Sequence, residues 1–319
     1  MKLYVARDNK LIDISNEAGE ISWQDSIDTL GQQMNITTIN NFNVGDFFIL
    51  KENDDEVFQG IAVEKDKVFN KNRITVFDFA WYLNESEEVV QFNNVASNQA
   101  ITQLLSKYSV KLGAIEASTI MINRIYRDKK VSDIIRDILS IVSSKTGEKY
   151  RVEMRSGYLF IEKYSKLEID PFYKPAVNLS EVDSKKAISK DFNYKESISN
   201  LKNKIIVIGN KEKSTAILAE VENQESISQY GLLQEVITVE DSEVSQVRNI
   251  ANKMLNDLNR KGVDLNISVP GNVELKSGRY INISNQYFSG DFLIKGTSHN
   301  YSNGIYKTSL TLGDDKNVG

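Results

Sequence analysis

The chain has 319 residues, 40% of them hydrophobic, and a formal net charge of −5. It contains no cysteine and one histidine, His299. That excludes a disulfide scaffold, a thiolate metal site and a Cys nucleophile, and makes a His-rich metal site or an ordinary Ser-His-Asp triad hard to build. Without a long basic run, sequence-specific nucleic-acid binding is not expected, because its affinity needs clustered Lys and Arg. No stretch approaches the roughly 18 apolar residues of a membrane span. The start, Met1 to Arg7, is charged too early for a signal peptide. Synthesis and folding in a cytoplasm, without membrane insertion, are the expectation.

Residues 1–84 read as all-β. Lys2–Ala6 forms a strand, Ile12 and Ile14 alternate with Asp13 and Ser15, and Ile21–Gln24 resumes the pattern. Met34 and Ile36 alternate again within Gly31–Thr38, and a meander follows from Asn43 to Ala80. Such alternation marks half-buried strands. Asp78-Phe79-Ala80-Trp81-Tyr82-Leu83 then breaks the period of two and gathers core-type side chains.

Residues 85–175 change character. Ser97 is placed to cap a helix carrying Ala100, Ile101, Leu104, Leu105 and Tyr108 on one face. Ser132 is placed to cap a second, with Ile134, Ile135, Ile138, Leu139 and Val142 at helical spacing and Gly147 as its stop. Tyr150–Met154 and Tyr158–Ile161, joined by Arg155-Ser156-Gly157, signal a hairpin. The expectation is a small α+β insertion of two helices and a hairpin, closed by the linker candidate Pro171-Phe172-Tyr173-Lys174-Pro175.

Residues 176–213 return to strands at Val177–Leu179, Ile188–Tyr194 and the apolar Lys204–Gly209, which reads as buried on both sides. Residues 214–261 form a second insertion. Ile217–Val221 and Glu235–Val239 are candidate strands, and a helix is expected at about 241–260. Asp241 or Ser242 caps it, Val244, Val247, Ile250, Ala251, Met254, Leu255 and Leu258 form its stripe, and Gly262 ends it.

The last stretch, Ile267 to Gly313, alternates strictly between turns at Pro270-Gly271, Lys276-Ser277-Gly278, Ser289-Gly290 and Ser302-Asn303-Gly304. It repeats the earlier meander. Gly45-Asp46-Phe47-Phe48-Ile49-Leu50 matches Gly278-Arg279-Tyr280-Ile281-Asn282-Ile283. Phe58 follows Gly45 at nearly the spacing at which Phe292 follows Gly278, and Thr75 corresponds to Thr308. One antiparallel β-barrel used twice is the expected architecture: 1–84 as the first, and 176–213 with 262–319 as a second, split one. The fold class is thus mainly β with α+β insertions.

No catalytic, cofactor-binding or metal-binding residue set is expected. His299, near a strand end, could be a general base, but a bond to neighbouring backbone is the ordinary role there. Asn53-Asp54-Asp55-Glu56 reads as a solvated hairpin tip rather than a glycosidase pair. Asp314-Asp315 is a tail, and Gly209-Asn210-Lys211 lacks the further glycines of a phosphate loop. Tyr287, Phe288, Tyr301 and Tyr306 could form an exposed platform for a receptor or glycan, although their alternation turns half of them inward.

Taken in order, Asp78 to Leu83, then Gln91-Phe92-Asn93-Asn94, then Val131-Ser132-Asp133-Ile134-Ile135, and finally Phe292, Ile294, His299, Gly304 and Thr308–Leu312 carry a family resemblance over nearly the whole chain. The sequence resembles the baseplate hub proteins of contractile phage tails and phage-tail-like bacteriocins, nearest their XkdQ/YqbQ-like subgroup. The resemblance implies a non-enzymatic structural protein of the virion or particle, with two tail-tube-like barrels per chain. It implies a homotrimer whose six barrels join a sixfold tail tube protein to a threefold central spike protein. Baseplate wedge proteins would contact the 85–175 insertion, and barrel strands would line a central channel. A receptor- or glycan-binding module and a peptidoglycan-degrading tail enzyme are the other classes weighed.

Overall fold

The computed structural model describes residues 1–7, 10–108, 110–116, 119–164, 174–175, 187–188, 192–210, 216–239, 241–284 and 289–314. The chain forms two compact units, one built from Met1–Phe192 and Asn266–Leu312, the other from Asn193–Leu265.

The first unit opens with seven strands: β1 (Lys2–Arg7), β2 (Lys10–Asp13), β3 (Ala18–Ser26), β4 (Gln33–Thr38), β5 (Phe47–Glu52), β6 (Asp55–Val68) and β7 (Lys71–Phe77). Leu3, Val5, Ile21, Trp23, Met34, Ile36, Phe48, Leu50, Ile74 and Val76 are the inward phase of that alternation and form one core. A short helix, α1 (Ala80–Glu85), leads out, and its Ala80 and Leu83 belong to a different core. That second core lies in the insertion: β8 (Glu87–Ala96), α2 (Ser97–Lys107), β9 (Lys111–Ile115), β10 (Met121–Lys130), α3 (Val131–Thr146), β11 (Tyr150–Arg155) and β12 (Tyr158–Lys163). The inward faces of α2 and α3 hold the apolar residues that their spacing predicts.

The insertion departs from expectation in two ways. It carries three further strands, β8, β10 and β9; β8 and β10 pair with each other through register shifts that break the period of two, and β9 pairs in parallel with β12. Ser97 and Ser132 do not cap their helices. Both are buried inside the first turn, and the N-caps are Ala96 and Lys130, neither with a side-chain cap bond. Carbonyls just outside the strands substitute for a cap: Ser97 N–H donates to Ile120 O, before β10, at 2.8 Å and Val131 N–H to Ser86 O, before β8, at 3.0 Å, satisfying donors that a helix start leaves open. Gly147 does end α3, in the left-handed region at φ 76 with its N–H on Ser143 O. Nothing lies within 4 Å of a Cβ built there. Gly147→Ala is therefore expected to cost about 1 kcal/mol from backbone strain alone, read as a lower urea midpoint with an unchanged m-value.

Beyond the insertion, β13 (Lys174–Pro175) and β14 (Ala187–Ile188) form a short parallel pair. Pro171–Tyr173 of the expected linker and Val177–Leu179 lie outside the described residues. In the second unit, β15 (Asn193–Ser197) is followed by β16 (Lys204–Gly209), β17 (Ile217–Glu222), α4 (Gln224–Tyr230), β18 (Gln234–Val239) and α5 (Val247–Leu258). Lys204–Gly209, expected in the second barrel, instead sits between β17 and β18 in a three-stranded sheet. Its continuous apolar run arises because Ile205 and Val207 face α5, whose Val247, Ile250, Ala251, Met254, Leu255 and Leu258 cover that side. Asp241 and Ser242 lie in a 3-10 turn before α5, so the helix starts at Val247 with Gln246 as N-cap. Gly262 opens the next strand, and Asn259 is the C-cap.

The chain then adds β19 (Gly262–Pro270), β20 (Tyr280–Ser284), β21 (Ser289–Ser302) and β22 (Ile305–Asp314). From Asn266 onward these belong to the first unit, where the sheet runs β19-β22-β21-β3-β4-β7-β6-β5-β1-β2, with β20 on β21. The sequence repeat is visible in it. Gly45 N–H donates to Ala62 O and Ala62 N–H to Asp46 O, both at 2.8 Å; Gly278 N–H donates to Ile294 O at 2.7 Å and Ile294 N–H to Arg279 O at 2.8 Å. Both glycines hold positive φ, 94 and 78, which side chains rarely adopt. Phe47 then faces Ile61, and Tyr280 faces Leu293. The neighbour order is β4-β7-β6-β5 in one copy and β19-β22-β21-β20 in the other. The copies are joined edge to edge: β21 pairs antiparallel with β3 from Gly296↔Ser26 to Ser302↔Glu20.

Candidate functional site

The seam between the two repeats holds the densest buried polar cluster among the described residues. Alternation aims Asp25 to the same side of β3 as Ile21 and Trp23, and Arg151 and Glu153 to the inner side of β11. The turn before β20 supplies Ser277 and Arg279, and β21 supplies Thr297 and His299; all seven polar residues are buried.

Asp25 is the hub of one half. Its Oδ2 accepts from Ser277 N–H at 3.0 Å and Ser277 Oγ at 2.9 Å, and its Oδ1 accepts from Thr297 Oγ1. Arg151 Nη2 donates to Ser277 Oγ at 2.6 Å and Nη1 to Ser26 O at 3.3 Å. In the other half Arg279 grips Glu153 with both ends of its fork, at 2.6 and 2.8 Å. Burial alone raises the Glu153 pKa, but the Arg279 bonds and the nearby Arg151 and Lys276 outweigh it and hold the carboxyl below its usual range. A charge pair in such a place must be geometrically complete, since either partner alone is a desolvated ion.

His299 completes the seam. Its ring stacks flat on Trp23 at 4.7 Å. Nε2 lies 3.0 Å from Leu275 O, and Nδ1 lies 2.9 Å from Tyr306 Oη and 3.1 Å from Thr308 Oγ1. A carbonyl only accepts, so Nε2 carries the proton and Nδ1 receives a hydroxyl. Burial, the largest cause, pushes the His299 pKa down to about 4 against the opposing charge of Asp25. At 2% exposure the imidazole is enclosed by Trp23, Tyr306, Thr308 and the Leu275 carbonyl.

A third buried carboxyl, Asp78, accepts from Gln32 N–H at 2.8 Å and Ala80 N–H at 3.0 Å. Burial pushes it up to about 7, with the backbone donors pulling the other way. Between about pH 4 and 6.5 the unfolded chain protonates His299 while the folded chain does not, so this group makes stability rise with pH. Over about pH 4 to 7 folded Asp78 keeps a proton the unfolded chain releases, so stability falls with pH. The two slopes oppose. His299→Gln is therefore expected to tilt the stability–pH profile downward with rising pH relative to wild type, and Asp78→Asn to tilt it upward, each by on the order of 3 kcal/mol across the window. Urea titrations from pH 4 to 7 read both tilts.

The other candidate residues are not brought to this seam. Asn53 and Asp54 are positive-φ turn residues (49 and 73) of the β5–β6 hairpin, and Asp55 and Glu56 begin β6. Asp314 ends β22 and Gly209 ends β16. Asp315, Lys211, Tyr287 and Phe288 lie outside the described residues. Tyr301 and Tyr306 pack against the first core, and a Cβ on Gly271 would lie 2.0 Å from the Tyr306 ring. They are packed side chains, not an open platform. Among the described residues no group of three His, Asp or Glu side chains is placed to hold a metal ion. Asp25, Arg151, Glu153, Ser277 and Arg279 were not singled out in the sequence. The available signal was charge on the apolar phase of a strand, as in Ile21-Ser22-Trp23-Gln24-Asp25.

The mainly-β fold, with its repeated sheet and α+β insertion, is one that solved tail proteins share. The YQBQ-like family pattern matches residues 21–313, so the chain belongs to the YQBQ-like family. It is 24% identical over 246 residues to the phage-like element PBSX protein XkdQ of Bacillus subtilis, covering 75% of this chain and 72% of that one. Among solved structures, a tail protein from Neisseria meningitidis aligns at TM-score 0.73 and 14% identity, covering 98% of this chain and 96% of that one. A 43 kDa prophage MuSo2 tail protein from Shewanella oneidensis aligns at 0.72 and 10% identity, covering 98% and 97%. An E. coli component of the type VI secretion system, described as similar to T4 tail proteins gp27 and gp5, aligns at 0.55 and 10% identity, covering 94% and 75%.

Proposed function

We propose that this chain is the structural hub of a contractile-tail baseplate. Three copies form a ring of six pseudo-equivalent β-barrels that joins a sixfold tail tube above to a threefold central spike below. The observation that carries the reading is the internal repeat. A duplicated unit can occupy pseudo-equivalent places around an axis, so a trimer presents a sixfold face and keeps a threefold one. The relatives named above, tail proteins and a secretion-system component likened to tail proteins, support the setting. The buried seam supports a non-enzymatic role, because its polar groups are used in holding strands together.

In this reading the 85–175 insertion faces neighbouring baseplate wedge proteins, and the protein resides in the virion or particle after assembly in the host cytoplasm. Native mass spectrometry of the chain co-expressed with its tail tube and spike proteins tests it. A complex of three hub chains with six tube and three spike subunits is expected. A complex with six hub chains, or none with either partner, would overturn it.

A further inference from the structure

One cation of the seam, Lys276, is left over by its neighbours. It stands in the turn before β20, next to Ser277, and is half-buried. Glu153, Arg279, Asp25 and Arg155 lie near enough to act on its charge, and burial, the largest cause, pulls its pKa below the ordinary lysine value. Among the described residues it makes no ion pair and no hydrogen bond. The nearby acceptors are already committed. Glu153 Oε1 lies 2.6 Å from Arg279 and 2.9 Å from Arg155, and Oε2 lies 2.8 Å from Arg279. Asp25 gives Oδ2 to Ser277 and Oδ1 to Thr297. Arg151, Arg155, Arg279 and Lys276 therefore face Asp25, Glu153 and Glu162, one cation more than the carboxylates. Asp78, the next acid, has its charge suppressed by burial below about pH 7. Arg155 is the other cation of this group that reaches solvent, with 29% of its side chain exposed. Its Nε, although 2.9 Å from Glu153 Oε1, is not aligned for a hydrogen bond to it and is buried without one.

We propose that this mouth of the seam, between the Lys276-Ser277-Gly278 turn and the β11–β12 hairpin, binds a small oxyanion of the phosphate or carboxylate type, held by Lys276 Nζ and Arg155 Nε. A partly desolvated cation without a counter-charge is costly, and an oxyanion accepting charge-assisted bonds from both groups offsets that cost. Arg155 is set in place beforehand. Its guanidinium sits over the Phe160 ring, 3.7 Å from the centroid, and Nη2 bonds to Glu162. Lys276 adds a point charge on a flexible stem. The match of Gly45 with Gly278 sets Lys276 against Asn43, which is uncharged. The lysine is thus a feature of the seam and not of the repeated turn. The inference is independent of the hub reading.

Urea unfolding of the full chain at about pH 6, below the folded pKa of Asp78, tests it, with chloride replaced stepwise by phosphate or by acetate at constant ionic strength. The wild-type midpoint should rise and saturate with at least one of the two, as binding to the folded state alone requires. Phosphate acting at lower concentration than acetate assigns a tetrahedral oxyanion, and the reverse order a carboxylate. Lys276→Met should weaken the apparent affinity at least about tenfold, Lys276→Arg should keep it, and Lys71→Met, at the exposed start of β7, should match wild type. In chloride alone Lys276→Met should unfold at the same urea concentration as wild type or higher, because it removes an uncompensated charge. A wild-type midpoint that neither phosphate nor acetate moves, or one that they raise equally in Lys276→Met, would overturn the site. A Lys276→Met chain that is less stable than wild type in chloride would overturn it too, since the lysine would then have its partner within the chain.

Discussion

Glu153→Ala is expected to destabilise the folded chain by about 3–5 kcal/mol, the usual cost of breaking a buried ion pair from one side. The reason is what it leaves behind. Arg279 loses both acceptors of its fork, Arg155 loses a partner at 2.9 Å, and Arg151 stands 3.9 Å from the vacated carboxylate. Guanidinium groups stay charged, so the desolvated cations cannot escape by titrating. Replacing both partners, Glu153→Leu with Arg279→Leu, should cost less than the sum of the single changes, because Arg279, the cation that Glu153 binds through both oxygens, is then not left as an unpaired ion. Urea unfolding of the four proteins in one buffer gives the cycle; additive losses would mean that the bidentate geometry carries no coupling. The Glu153 contribution is present above the ordinary carboxylate range and is lost as pH falls through its depressed folded pKa.

Gly60→Ala is expected to cost about 3 kcal/mol or more. A methyl at Gly60 would lie 2.1 Å from Phe77 O and 2.6 Å from its carbonyl carbon, with Asp78 N at 3.0 Å. These are backbone atoms at the point where β7 ends, so no rotamer change relieves the clash. The counterpart in the second repeat is Phe292, facing Ile281 as Gly60 faces Phe48. The glycine therefore belongs to the exit toward α1, not to the repeat itself. Thermal unfolding should show Gly60→Ala well below Gly147→Ala, where the added methyl meets open space. Equal melting temperatures would mean that β7 shifts freely, against the close packing of Met34, Ile74 and Val76 beside it.

Much of this fold was legible because its strands are half-buried. The alternation through Met34 and Ile36, and again through Ile281 and Ile283, places each side chain inward as read, and the match of Gly45 with Gly278 reappears as two identical backbone bridges. The errors have local causes. Lys204–Gly209 is apolar enough to suit any buried sheet, and a run of one polarity carries no partner information, so its pairing with β17 and β18 could not be read. Strands β8 and β10 hide their period behind bulges. Ser97 and Ser132 look like caps, yet the capping groups are the carbonyls of Ile120 and Ser86, residues distant in sequence. The seam was invisible for a similar reason: Asp25, Glu153 and Arg279 come from three segments, and only the fold brings them together. His299 was conspicuous as the single histidine, but its flat stack on Trp23 links residues from opposite ends of the chain.

In the proposed hub, the two repeats of one chain take neighbouring places around an axis, so that three copies fill six. A cryo-electron microscopy reconstruction of the assembled tail tip, refined with no symmetry above threefold at the hub layer, tests it most directly. Three copies around the axis are expected, with first and second repeats alternating beneath the six tube subunits and lining the channel. Six copies in that layer, or repeats lying off the axis at the baseplate periphery, would contradict it.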